Sequence, residues 1–197
     1  MKITAVTGFY DIGRGSYDSR GPEKYISWLN RTLRAPLPFL VFLDPAFDAS
    51  GLQLKPEDRI VRVAKDDLTM FRNRARIEEI VATSQTVNRR DISFHVAEYG
   101  MIVMSKLDLL KRAARETDAD QLVWIDAGHS RLMPDLEGKT LKVTEADFAG
   151  MNFGVYTTFH LSQRMRIGKF PRRMVGTTLA MMSAADFIVA RSFAEEL

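Results

Sequence analysis

The chain of 197 residues contains no cysteine. That excludes disulfides, thiolate zinc sites and a cysteine nucleophile, and it fits a reducing compartment. Histidine is scarce, with three in all. No H-E-x-x-H or other histidine pair occurs, and His95 and His160 stand isolated, which argues against a zinc site. No apolar stretch approaches the roughly 18 residues that a membrane span requires. The opening MKITAVTGFYD has one lysine and no sustained apolar run, so it does not read as a signal peptide. No G-x-S-x-G elbow surrounds a serine, which disfavours a serine hydrolase. Neither G-x-G-x-x-G nor a Gly-Lys-Ser/Thr phosphate loop is present, so the dinucleotide and Walker-type classes are poor fits.

What remains is an ordinary globular composition, 46% hydrophobic and 27% charged. It is enough to bury a core in one domain over residues 1–197. Neither sign of charge dominates, with 28 basic against 25 acidic residues and a net +3. Arginine outnumbers lysine about two to one, a weak pointer to phosphate or carboxylate ligands. Arg72, Arg74 and Arg76 spread around a helix without interleaved aromatics, so they read as solvated rather than as a nucleic-acid stripe.

Strand and helix patterns alternate. KITAVT (2–7), PFLVFLD (38–44), RIVRVA (59–64) and LVWID (122–126) read as strands. All-apolar runs such as the second mark strands buried on both faces. Pro22 opens a helix, PEKYISWLNRTLR, with Glu23 at its positive end. Residues 66–83 read as one Arg-rich helix, and 100–120 as the clearest helix of the chain. Residues 139–145 and 147–156 read as strands or a hairpin, and GTTLAMMS (176–183) as another strand. Ser183 with Asp186 resembles a capping box, which would open a last helix over ADFIVARSFAEEL. That helix would end on Glu195 and Glu196, the wrong sign for its negative end, so the expectation is a C-terminally shortened chain. The pattern predicts an α/β fold with a mostly parallel central sheet flanked by helices.

In such sheets ligands bind outside the carboxyl ends of the strands. The candidates are therefore Thr7–Asp11, Asp44, and Asp126–His129. In the loop GFYDIGRG, glycines let backbone N–H groups approach a ligand. Phe9 and Tyr10 could stack on a flat base, and Arg14 and Arg20 could meet phosphates; the alternative is an ordinary βα loop. Lys106 lies about 60° from Val103 on a helix, so it either reaches a cleft or snorkels at the surface. Asp126 ends a buried strand and must be solvated, paired or bound to a cation; the alternative is a turn cap. His129 is a second metal ligand, a phosphate donor or a surface turn residue.

Three stretches, VTGFYDIGRG, MSKLDLL and VWIDAGHSR, occur in an order and spacing that resembles the bacterial HtrL/YibB-type proteins, from Thr4 to about Gly176. These are treated as glycosyltransferases of GT-A type, linked to lipopolysaccharide or other surface-glycan synthesis. The resemblance implies a nucleotide-sugar-binding α/β domain. Thr7, Phe9, Tyr10, Asp11 and Arg14 would hold the nucleotide, Asp44 the base or ribose, and Lys106 the sugar or diphosphate. Asp126 would take the first position of an Asp-x-Asp metal motif for Mn2+ or Mg2+, with His129 as a weaker ligand. Gly128 stands where the second Asp would be.

The expected function is transfer of a sugar from a UDP-type nucleotide donor to a surface-glycan or lipopolysaccharide intermediate. It would take place in the cytoplasm or peripherally at the inner membrane face, without nucleic acid. The catalytic residue is not assigned. The alternative is a non-catalytic nucleotide-sugar-binding relative; a nucleic-acid binder is suggested only by a pI near 9.2.

Overall fold

The computed structural model of the protein describes residues 1–83, 96–131, 153–157 and 185–197. The fold is α/β, built on a mixed, mostly parallel sheet. Strands β1 (Ile3–Phe9), β2 (Phe39–Leu43), β3 (Arg59–Arg62) and β4 (Gln121–Trp124) run parallel. The sheet order is β3-β2-β1-β4-β6-β5. Strand β6 (Ala185–Ala190) runs antiparallel to β4 and to β5 (Phe153–Thr157).

Helices cover both faces, as a parallel sheet requires. The other turns of helix are α1 (Gly15–Asp18), α3 (Thr69–Arg72) and α4 (Arg74–Thr83). On one face, α2 (Pro22–Thr32) lays Leu29 against Ala5, Phe9, Phe39, Val41 and Val123. On the other, α5 (Ala97–Met104), α6 (Lys106–Glu116) and α7 (Arg191–Glu196) enclose Val6, Phe42, Leu110, Leu122 and Trp124. The side-chain period of two explains the split: along β1, odd positions face α2 and even positions face α6. Every residue of β2 is buried, as its all-apolar run predicts. Among the described residues no helix is long and apolar enough to cross a membrane.

Three expectations need correction. The helix expected over 100–120 is two helices that meet at Ser105. Its hydroxyl donates to the Met101 carbonyl at 2.8 Å, beside its own N–H at 3.0 Å. Such back-bonding competes with the helical ladder, and Lys106 becomes the first residue of a new helix. Residues 66–83 likewise divide into a 3-10 turn at Lys65–Asp67, α3 and α4; the start of α3 docks on Asp108, whose Oδ2 accepts the Thr69 N–H at 3.1 Å. Third, the helix expected over ADFIVARSFAEEL is helical only from Arg191. Ala185–Ala190 is a strand with partners on both sides. The β-formers Phe187, Ile188 and Val189 satisfy their backbone in the sheet, and that pairing outweighs a local capping signal. Ser183, the strands expected at 139–145 and 176–183, and both His95 and His160 lie outside the described residues.

The chain leaves β1 towards β2 and β3, then returns to place β4 on the other side of β1. The carboxyl ends of β1 and β4 therefore flank a topological switch point, where open α/β sheets bind ligands. Gly8 is needed just below it. An added Cβ would lie 3.3 Å from Leu109 Cδ1, 3.4 Å from Trp124 Cη2 and 3.5 Å from Phe42 Cβ. Gly8→Val is expected to cost about 1–3 kcal/mol by overpacking, read as a lower urea midpoint. An unchanged midpoint would mean that β1 and α6 are not closely packed there.

Candidate functional site

The switch point holds one well-defined constellation. Ile125 continues the pairing with β1 through its N–H to the Val6 carbonyl, 2.9 Å. Asp126 then projects on the α6 face, two residues beyond Trp124. Its Oδ1 accepts the indole N–H of Trp124 at 2.7 Å and lies 2.7 Å from the ammonium of Lys106. The Lys106 side chain is 5% exposed and that of Asp126 28%, so the cation is buried and the carboxylate reaches the crevice. The Lys106 ammonium also sits 5.8 Å from the Trp124 ring, within cation–π range.

The loop after β1 supplies Arg14. Its guanidinium donates to Asp18 at 2.8 Å and to the Tyr25 hydroxyl at 3.3 Å, and stacks 5.0 Å from the Tyr99 ring. Arg14 thus ties the loop to α2 and α5. Burial works against its charge, but Asp18, Tyr25 and Tyr99 outweigh that and raise its pKa. Burial pushes the Tyr99 phenol up; Asp126 adds to the shift and Arg14 opposes it, so Tyr99 stays a neutral hydrogen-bonding group.

Tyr99 thus lies against the Arg14 guanidinium and within the field of the Asp126 carboxylate. Gly128 and His129 follow in a tight turn. The His129 N–H reaches the Asp126 carbonyl at 2.8 Å, and Arg131 N–H the Gly128 carbonyl at 3.1 Å. His129 is buried, not a surface turn residue. At Gly128 a Cβ would meet the rings of Trp28 and Tyr25, each at 3.6 Å. That position faces the α2 aromatics, while Asp126 faces α6.

Other predicted residues lie elsewhere. Phe9 is buried and packs on Tyr25 and Phe47, with ring centroids 5.0 and 5.1 Å away. Tyr10 is buried in the α6-side core. Burial, then the Asp44 charge, pushes its pKa well above the usual phenol range, and its hydroxyl has no hydrogen-bond partner among the described residues. Thr7 is fully buried with its hydroxyl in the same condition. Asp11 and Asp44 form a second group through Lys65. The Lys65 ammonium donates to the Asp11 carbonyl at 3.1 Å and lies 3.5 Å from Glu98; its backbone N–H reaches Asp44 Oδ2 at 3.3 Å.

Sequence reasoning missed Trp124, Tyr99, Tyr25 and Lys65. Trp124 was reachable, because residues i and i+2 of a strand share a face. The others arrive from distant segments and leave no local signal.

The family model described as a bacterial protein of unknown function, HtrL_YibB, matches residues 1–148. No curated protein and no solved structure matches the chain. The matched span includes β1 to β4 together with Arg14, Tyr99, Lys106 and Asp126, and the chain belongs to the HtrL/YibB family of bacterial proteins.

Proposed function

We propose that the crevice at the carboxyl ends of β1 and β4 binds a UDP-type nucleotide-sugar on a GT-A-like sheet. The protein would transfer the sugar to a surface-glycan or lipopolysaccharide acceptor, in the cytoplasm or peripherally at the inner membrane face. The observation that carries this reading is the buried Lys106–Asp126 pair at the switch point. A carboxylate whose Oδ1 is held by both an ammonium and an indole N–H is oriented before ligand arrives. Such an anion accepts hydrogen bonds from sugar or ribose hydroxyls. Transfer breaks the bond between the sugar and the diphosphate, so negative charge grows on the departing diphosphate. Arg14, on the loop after β1, is a cation placed to offset it, while Lys106, buried against Asp126, holds that carboxylate in place.

The resemblance also implies Mn2+ or Mg2+. The surroundings of Asp126 fit that poorly. Gly128 faces aromatic rings, and Lys106 already sets a positive charge 2.7 Å from Asp126 Oδ1, where a divalent cation would be repelled. In this reading Lys106 orients Asp126 without a metal.

A thermal-shift screen of UDP, GDP, CMP and UDP-sugars, each with manganese and with EDTA, tests the proposal. Ligand at a hundredfold excess over Kd stabilises the folded state by about 2.7 kcal/mol. UDP and its sugars are expected to raise Tm, and Asp126→Ala and Asp126→Asn to lose that increment. No rise with any nucleotide would sink the reading. Loss of the increment in EDTA would sink the role given to Lys106. Gly128 favours one second reading, a binding-only relative; UDP-sugar binding without hydrolysis or transfer would select it.

A further inference from the structure

A second cleft opens on the α2 side of the β4 loop, with a volume of about 340 Å³. This is within the range of small-ligand sites, about 300–1,000 Å³. Its walls are the turn after α1, the first turns of α2 and the 3-10 turn His129–Arg131. Among the described residues, Arg20, Lys24 and Arg131 bring three cations to it, and Asp18 one carboxylate. That carboxylate is already claimed from outside the cleft: Arg14 Nε lies 2.8 Å from Asp18 Oδ2, against 3.4 Å for Arg20 Nε. The described lining therefore keeps a surplus of positive charge.

Its floor is Trp28, half-buried, with the Arg131 guanidinium 5.8 Å over the ring. The Trp28 position is fixed from beneath by Ser130, whose buried hydroxyl donates to the Trp28 carbonyl at 2.7 Å. Ser19 and Ser27 add hydroxyls to the walls, and the Lys24 ammonium stands 3.4 Å from Ser19 Oγ. An aromatic face ringed by cations and hydroxyls suits a ring that is apolar on one side and anionic at one end. A sugar presents C–H groups to an aromatic face, and a phosphate matches guanidinium and ammonium donors.

We propose that this cleft binds a phosphate-bearing sugar. Asp126 and Arg131 lie on one short turn, so the cleft and the switch-point crevice share a wall. Its assignment as the acceptor side of the reaction rests on the glycosyltransferase reading; the binding itself does not.

The test is an NMR titration of the full chain with glucose 1-phosphate at low salt, following the two tryptophan indole N–H signals. Trp28→Phe identifies which is which. Glucose 1-phosphate is expected to shift the Trp28 signal, with glucose alone leaving it in place. Arg20→Gln, Lys24→Gln and Arg131→Gln together are expected to weaken binding about tenfold or more, because charge-assisted hydrogen bonds are lost. These are surface positions, so the variant folds; its urea midpoint checks that. An immobile Trp28 signal overturns the proposal, as does an unchanged affinity in the triple variant or an equal response to glucose.

Co-sedimentation with phosphatidylglycerol vesicles, competed by glucose 1-phosphate, would support the site with a lipid headgroup as the source of the phosphate. Competition failing while the titration succeeds would support it with a soluble phosphosugar. Asp126→Asn separates the two sites: it should abolish UDP stabilisation and leave the Trp28 titration intact.

Discussion

Lys106→Met is expected to destabilise the protein by about 3 kcal/mol, near the low end for breaking a buried ion pair by removing one partner. The low end applies because the Asp126 side chain keeps 28% of its exposure and retains the Trp124 indole donor at 2.7 Å. For a chain of this size that corresponds to a fall in Tm of about 6–12 °C. The ammonium cannot be replaced by water from the surface, since Lys106 is 4% exposed and opens α6 beneath the crevice. Methionine fills the stem's volume, so the loss reports charge rather than packing. Adding Asp126→Leu should restore most of the stability, because replacing both members of a buried pair by apolar groups is often neutral. It should not restore stabilisation by UDP. A Lys106→Met cost below about 1 kcal/mol would be the behaviour of a surface pair and would remove the physical basis for a pre-organised carboxylate at this position.

Asp58→Ala is expected to cost about 3–5 kcal/mol, without touching the crevice. The Asp58 side chain is fully buried. Oδ1 accepts the Phe39 N–H at 2.9 Å and Oδ2 the Lys55 N–H at 2.8 Å. The Lys55 ammonium lies 3.2 Å from Oδ1 and also donates to the Leu33 and Ala35 carbonyls at 2.6 and 3.1 Å. One ion pair thus closes the end of α2, whose last carbonyls lack helical donors, and sets the start of β2. Alanine would leave the buried Phe39 N–H and the part-buried Lys55 N–H without their acceptor and the Lys55 ammonium without its counter-charge. Asp58→Asn keeps an acceptor for Phe39 and should cost roughly half as much, since its amide can satisfy only part of the set. Urea unfolding followed by circular dichroism measures both. The knot sits at the amino end of β2, opposite the crevice, so the folded variant should keep the wild-type response to UDP. Loss of that response at temperatures where the variant is folded would mean that the amino end of β2 controls the site.

Much of the frame was legible in the residues. The apolar runs at 38–44 and 122–126 had to be buried strands, Pro22 had to begin a helix, and alternation of the two periods required an α/β layer structure. From that alone, Asp126 stood at a strand's carboxyl end, and Lys106 stood close before it in sequence. The aromatic pair Phe9 and Tyr10 shows the limit. Composition marked them as able to stack on a ligand, yet they are buried within the protein, on the α2 and α6 sides. Nothing in a single strand's pattern distinguishes a ring that meets a ligand from one that meets a helix.

ADFIVA shows the same limit for an element. A local capping signal favoured a helix, and two neighbouring strands made it β6. The sequence by itself determined which segments must be buried and at what period, because burial of apolar side chains is recorded locally. Only the tertiary structure decided the partners. The Asp126 Oδ1–Lys106 contact, the reach of Arg14 to Tyr99, and the Phe39 N–H on Asp58 join segments that sequence spacing leaves independent. Such contacts depend on distances of a few ångströms, and those exist only once the sheet sets its strands side by side and docks the helices on them.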